Sequence, residues 1–123
     1  MKDKFSISKR LQSFSHAFDG IKVLLKEEHN ARVHVVLALT VVLAGFYFKI
    51  EPFEWMFIVL CIALVLSLEI VNSSIERMAD FISPDKHKAI KHIKDLAAAA
   101  VLLSAIASIV VAAIILIPRI IMP

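Results

Sequence analysis

Leu68-Glu69-Ile70-Val71-Asn72-Ser73-Ser74-Ile75-Glu76-Arg77-Met78-Ala79-Asp80 ends the middle of three apolar blocks in this chain and carries charge into it. At about 100° per residue, Glu69, Asn72, Glu76 and Asp80 fall at roughly 0°, −60°, −20° and +20° on a helical wheel. Three carboxylates and an amide therefore share a stripe about 80° wide. The residues before it are suited to lipid. Ionisable groups in a membrane helix are costly and mark working sites. The stripe points to a place where a metal, a proton or a phosphate is handled. The plain structural alternative is adhesion between helices through Asn72, Ser73 and Ser74.

Around this stretch the composition is that of a membrane protein. Of the 123 residues, 59% are hydrophobic, more than the interior of so small a soluble domain can hold. The apolar residues gather in blocks at 33–48, 55–71 and 96–117, the last without a charge. The first two are slightly short for a span of ~20 residues and are completed by turns reaching the headgroups. Three buried helices of a soluble bundle are the competing reading, and the uncharged third block opposes it. No secretory signal is visible ahead of the first block. Cys61 stands alone, so neither an internal disulfide nor zinc-finger spacing is expected. The formal charge of +3 is spread over segments flanking the spans, which suggests anionic lipid or phosphate and no nucleic-acid partner.

Ile7, Leu11, Phe14, Phe18, Ile21 and Leu25 recur at alternating steps of four and three, one face of an amphipathic helix. With Lys9, Arg10, Lys22 and Lys26 off that face, the helix suits a membrane surface. It equally suits packing on a partner. The expected fold is an all-α membrane protein: a surface helix over about 7–28 and spans over about 31–49, 54–75 and 96–118, in one membrane-embedded domain. Lys49 to Glu54 reads as a tight turn, with Pro52 opening the second span and Trp55 at the interface. That helix should continue to about Phe81. Ser83, Pro84 and Asp85 read as the cap, first position and acidic first turn of the next helix.

Lysine and arginine set the orientation. Lys2, Lys4, Lys9, Arg10, Lys22, Lys26 and Arg32 precede the first span, and Arg77, Lys86, Lys88, Lys91 and Lys94 lie between the second and third. The other side offers Lys49 and Arg119. The positive-inside rule then places the N-terminus and the second connection in the cytoplasm and the C-terminus outside. Glu28, the stripe and Lys94-Asp95 converge on that cytoplasmic face. Glu69, about 21 Å along the helix from Trp55, lies just below the headgroups, where a lipid alcohol sits. Asp80, roughly 16 Å further on, is in water with soluble ligands.

The run Glu69-x-x-Asn72-Ser73-Ser74-x-Glu76-x-x-x-Asp80, followed by Lys94-Asp95-x-Ala97-Ala98-Ala99-Ala100-Val101, resembles the prokaryotic diacylglycerol kinase and undecaprenol kinase family. Glu28-x-Asn30-x-Arg32-x-His34 and Phe14-x-x-Ala17-Phe18-x-Gly20 resemble its N-terminal pattern. The likeness runs from about Lys9 to Arg119. It implies a small homotrimer in the bacterial plasma (inner) membrane, with active sites between subunits. It also implies transfer of the γ-phosphoryl group of MgATP to a lipid hydroxyl. Carried over by position, Glu69 resembles the general base, and Glu28 and Glu76 resemble carboxylates that hold divalent metal. Asn72, Asp80, Lys94 and Asp95 resemble nucleotide-site residues, as does the stretch Asp85, Lys86 and His87. Arg10 corresponds to a phosphate contact, with Lys9 as the other register. Glu69, Ser73 and Arg32 fall where the lipid substrate is bound. His16 stands where the family carries a tyrosine beside the nucleotide; an imidazole there can stack or donate a hydrogen bond.

The chemistry also stands on the residues alone. Phosphoryl transfer needs charge neutralisation and alignment more than covalent help. Oxygen-rich sites suit Mg²⁺, and a carboxylate can take the proton of an attacking alcohol. With only Gly20 and Gly45, the chain has no GxxxxGK loop, so metal, Lys94 and arginines must hold the phosphates. Plain structural roles compete at several positions: a solvated charge at Glu28, interface anchors at Arg32 and His34, surface residues at His29, His87 and His92, and snorkelling at Lys94. A rival of another class is a small proton- or cation-conducting membrane protein using the same stripe. A third reading is a degenerate assembly protein, against which intact Glu69, Asn72, Glu76 and Lys94 speak. Between lipid acceptors, Glu28-x-Asn30-x-Arg32-x-His34 and Ile117-Pro118-Arg119 resemble the undecaprenol kinase branch more than the diacylglycerol branch.

Overall fold

The computed structural model describes residues 4–85 and 87–122, and every regular element in them is helical. They are α1 (Ile7–Glu27), α2 (His29–Tyr47), α3 (Pro52–Ile82) and α4 (Lys88–Ile121). The last three are long and apolar enough to cross a membrane. At 1.5 Å per residue α2 measures about 28 Å, while α3 and α4 reach about 46 and 51 Å. The two long helices therefore overrun a hydrocarbon layer of ~30 Å by several turns. Helices cover the segments expected to be helical. Both α3 and α4 continue as helix beyond the lipid-suited stretches, α3 to Ile82 as expected and α4 from Lys88.

α1 exposes the whole apolar stripe from Ile7 to Leu25, the amphipathic face expected from its spacing. Ser6 caps its start by accepting from the Lys9 N–H. It ends at Glu28, whose extended backbone (φ −105°, ψ 109°) separates it from α2. The Arg32 guanidinium donates to the Lys26 carbonyl across the break at 3.0 Å.

The turn between α2 and α3 follows from backbone bonds. Lys49 N–H donates to Phe46 O at 3.3 Å and Ile50 N–H to Gly45 O at 3.1 Å. This double closure is the Schellman arrangement, which needs a left-handed residue just beyond the cap. Lys49 fills that place with φ 53°. The turn folds Ile50 back over Gly45, where a methyl group would stand 2.7 Å from the Trp55 ring and 3.2 Å from Ile50. Ile50 then packs with Ile58 and Ile115 as the buried apolar cluster at this end of the molecule.

α3 and α4 form the principal antiparallel pair, with α2 packed mainly on α3. Polar ties mark both ends of the pair. At one end the Arg119 guanidinium grips Glu54 through two nitrogens, at 2.8 and 2.5 Å. Glu54 also accepts from the Glu51 N–H at 3.0 Å, closing the start of α3. At the other end Lys94 pairs with Asp80.

One sequence expectation is corrected here. Ser83, Pro84 and Asp85 do not open α4. Ser83 closes α3, its N–H donating to Ala79 O at 2.9 Å. Its backbone is extended (φ −144°, ψ 91°), as a residue before proline tends to be. The Ser83 hydroxyl turns to the Asp85 carbonyl at 3.4 Å. The cap of α4 is His87, whose Nδ1 accepts from the Ala89 N–H at 3.1 Å.

Candidate functional site

Glu69 is the most enclosed of the acidic side chains in α3, with 4% of its surface exposed. It lies among apolar neighbours because α3 presents Ile58, Val65, Glu69 and Ser73 on its buried face. A carboxylate in such a place requires a partner. That partner comes from α2: His34 Nε2 lies 3.2 Å from Glu69 Oε1. The sequence reading favoured a membrane-interface anchor at His34. The break at Glu28 starts α2 afresh and brings its second turn against α3, which no spacing within α3 could reveal. Glu28 and Glu76 are the other charged groups in electrostatic reach of Glu69.

Glu28 sits at the junction of three helices. Its Oε1 accepts from the Ser73 hydroxyl at 3.0 Å. Arg77, one turn along α3, lies 3.6 Å from the same oxygen. It donates to Ser73 Oγ at 3.4 Å and to Glu27 at 2.5 Å. Two residues expected at the site, Glu28 and Ser73, are thus in direct contact. Arg77 locks them in place and was not among the site residues expected from sequence. Its only sequence signal is its place on the helix, one turn beyond Ser73.

Asn72 and Glu76 continue the stripe. Asn72 Oδ1 is buried and accepts no hydrogen bond among the described residues. Glu76 is half-buried and makes no hydrogen bond or ion pair among the described residues. Asp80 ends the stripe, held by Lys94. Beyond it lies a cleft of about 540 Å³ between the end of α3 and the start of α4. Asp80, Asp85, His87, Lys91, Lys94 and Asp95 line it. Asp95 is paired with Lys91 at 2.6 Å, so the neighbours Lys94 and Asp95 serve different partners. Lys86 lies outside the described residues.

Not every expected residue joins this group within one chain. Arg10 and His16 are exposed on α1, which touches α2 and α3 but not α4. The Arg10 guanidinium rests on the Phe5 ring, 5.4 Å from its centroid. Arg32 is spent on the Lys26 carbonyl.

Among the described residues no three His, Cys, Asp or Glu side chains gather closely enough to enclose a metal ion. The stripe nevertheless supplies unengaged oxygen: the orphaned Asn72 Oδ1 and the unpaired Glu76 carboxylate, one helical turn apart. Oxygen acceptors without donors suit a hard cation that takes its remaining ligands from phosphate and water.

On the lipid side of Glu69 the bundle holds an apolar chamber of about 210 Å³ between α2, α3 and α4. Leu37, Val41, Ile62, Val65 and Ile109 are among its walls, with His34 at its polar edge. One side chain therefore borders both the chamber and the buried carboxylate. Ser108, also on the wall, keeps a buried hydroxyl with no hydrogen-bond partner among the described residues.

The sequence model of the prokaryotic diacylglycerol kinase family matches residues 15–116. An undecaprenol kinase of Bacillus subtilis is 34% identical over 113 residues, covering 92% of this chain and 92% of that protein. A diacylglycerol kinase of Synechocystis is 32% identical over 109 residues, 88% of this chain and 62% of that protein. A diacylglycerol kinase of Helicobacter pylori is 32% identical over 109 residues, covering 83% and 85%.

Proposed function

This chain belongs to the prokaryotic diacylglycerol kinase family, and from that premise we propose that it transfers the γ-phosphoryl group of MgATP to undecaprenol in preference to diacylglycerol. It is a kinase of lipid alcohols, with its spans in a membrane. The observation that carries the finer reading is Glu69, a carboxylate buried in a membrane helix, held by the residue that borders an apolar chamber. The hydroxyl-bearing end of a single hydrocarbon chain suits that chamber. Diacylglycerol brings two ester groups that need hydrogen-bond donors, and the chamber wall is almost wholly apolar. The undecaprenol kinase of Bacillus subtilis, similar over 92% of both chains, supports the same choice.

In this reading the alcohol oxygen attacks the γ-phosphorus while its proton passes to Glu69. The bond from the γ-phosphorus to the bridging oxygen breaks, and ADP leaves. Glu28 and Glu76, with Asn72 Oδ1 beside them, would hold magnesium. Bound there, the metal supplies the charge neutralisation that phosphoryl transfer needs. Asp80, Asp85, His87, Lys94 and Asp95 hold the nucleotide at the cleft. Arg10 and His16 do not reach that cleft from their own chain, so they serve the site of a neighbouring subunit in a homotrimer. The whole chain acts as one membrane-embedded unit in the bacterial plasma membrane. Its site faces the cytoplasm, a reading that the lysine and arginine distribution supports.

The test offers undecaprenol and diacylglycerol in parallel to the purified protein in micelles, with radiolabelled ATP and Mg²⁺. Faster labelling of undecaprenol is the expected result. Faster labelling of diacylglycerol overturns the substrate assignment, and labelling of neither overturns the reaction.

A further inference from the structure

A buried carboxylate has two oxygens, and the structure engages them unequally. Glu69 Oε1 lies 3.2 Å from His34 Nε2. Among the described residues no other side chain donates to Glu69. Ser73, one turn along the same buried face of α3, is committed to Glu28. Leu37 and Ala38, one turn along α2, border the same chamber as His34, and only a fifth of the imidazole surface is exposed. The ring is thus held by its surroundings, and it holds one oxygen of Glu69.

We propose that His34 is a positioning residue: its Nε2 donor fixes Glu69 Oε1 so that Oε2 is presented to the lipid hydroxyl. The proposal rests on Glu69 being the proton acceptor. Without the imidazole the carboxylate can rotate about its last torsions, and its basic lone pair no longer faces a fixed direction. Proton abstraction depends on near-contact geometry, and misplacement of a reacting group by about 1 Å can slow a reaction by about a hundredfold. His34 touches neither phosphate nor metal in this scheme and stays a donor throughout. In each turnover the proton moves from the alcohol to Oε2, and later leaves from there to water.

The experiment uses the full chain in micelles and compares wild type, His34→Leu, His34→Gln, Glu69→Gln and the double variant His34→Leu/Glu69→Gln. Leucine removes the donor and keeps the bulk, while glutamine restores an N–H. His34→Leu should lower kcat by about ten- to a hundredfold, with KM for MgATP and for lipid within a few-fold. His34→Gln should recover most of that loss. In the Glu69→Gln background the leucine substitution should slow the reaction no further, because His34 acts through that carboxylate. Equal losses in the leucine and glutamine variants overturn the proposal in favour of simple packing. A loss confined to the lipid KM overturns it in favour of substrate contact. Additive losses in the double variant show that His34 does not act through Glu69. A Glu69→Gln rate equal to wild type removes the premise instead, and so separates failure of the reading from failure of the proposal. If His34→Leu does not fold, His34→Met, which also lacks a donor and keeps the bulk, takes its place with the same expected loss, and an unchanged kcat in that variant overturns the proposal.

Discussion

Three carboxylates at the site are distinguished by what touches them. Glu69 is enclosed and held by a histidine, Glu28 is bonded to a serine and flanked by an arginine, and Glu76 has no side-chain partner among the described residues. These surroundings predict different outcomes for the same chemical change. Under the proposed roles, Glu69→Gln removes the base and leaves the oxygen ligands of the stripe intact. MgATP affinity should stay within a few-fold while the rate falls by roughly 10²–10⁴, the usual scale for a positioned general base. Glu28→Gln and Glu76→Gln each remove one of the proposed hard anionic ligands, so both should weaken Mg²⁺-dependent nucleotide binding. Nucleotide titrations with and without Mg²⁺ check all three variants. Collapse of nucleotide affinity in Glu69→Gln would make Glu69 a ligand. Unchanged Mg²⁺ dependence in both other variants would end their assignment to metal.

At the scale of elements, the α2–α3 turn depends on the absence of a side chain at Gly45. A methyl group there would meet the Trp55 ring at 2.7 and 2.9 Å, closer than carbon atoms tolerate. The ring must move, and it packs against the cluster of Ile50, Ile58 and Ile115. Gly45→Ala should therefore cost about 1–3 kcal/mol, the usual scale of overpacking. A lower unfolding midpoint in detergent and a shifted Trp55 emission are the expected signs, and Trp55 is the only tryptophan in the chain. An unchanged midpoint with unchanged emission would show that the turn relaxes freely. The far end of the hairpin is built differently. There Asp80 and Lys94 tie α3 to α4 beside an open cleft, where a ligand can enter without disturbing apolar packing.

For the whole molecule, the antiparallel course of α2, α3 and α4 puts Glu28, Asp80 and Lys94 at one end and Glu51, Glu54 and Arg119 at the other. The positive-inside rule turns this into an orientation. In a Cys61→Ser background, a cysteine at Lys88 should react with an impermeant probe only from the cytoplasmic side, and one at Glu51 only from outside. The reverse pattern would place the stripe away from cellular ATP and overturn the orientation.

The amino-acid sequence alone determined the helices, their approximate ends and the acidic stripe, because hydrophobic periodicity and helical spacing are local properties. Pro52 marked the start of α3 for the same reason: its fixed φ and missing N–H suit a first helical position wherever the helix packs. At Ser83 a local signal misled. A serine before proline resembles a cap, yet its N–H still completed the previous helix. What only the tertiary structure decided are the meetings between elements. His34 reaches Glu69 because Glu28 breaks the chain in an extended conformation and re-aims α2. Arg77 reaches Glu27 because the end of α1 returns to α3. Arg10 and His16 stay away from the cleft because α1 does not touch α4. Each depends on a break or crossing that a few backbone torsions set, and those torsions leave no repeat in the sequence to be read.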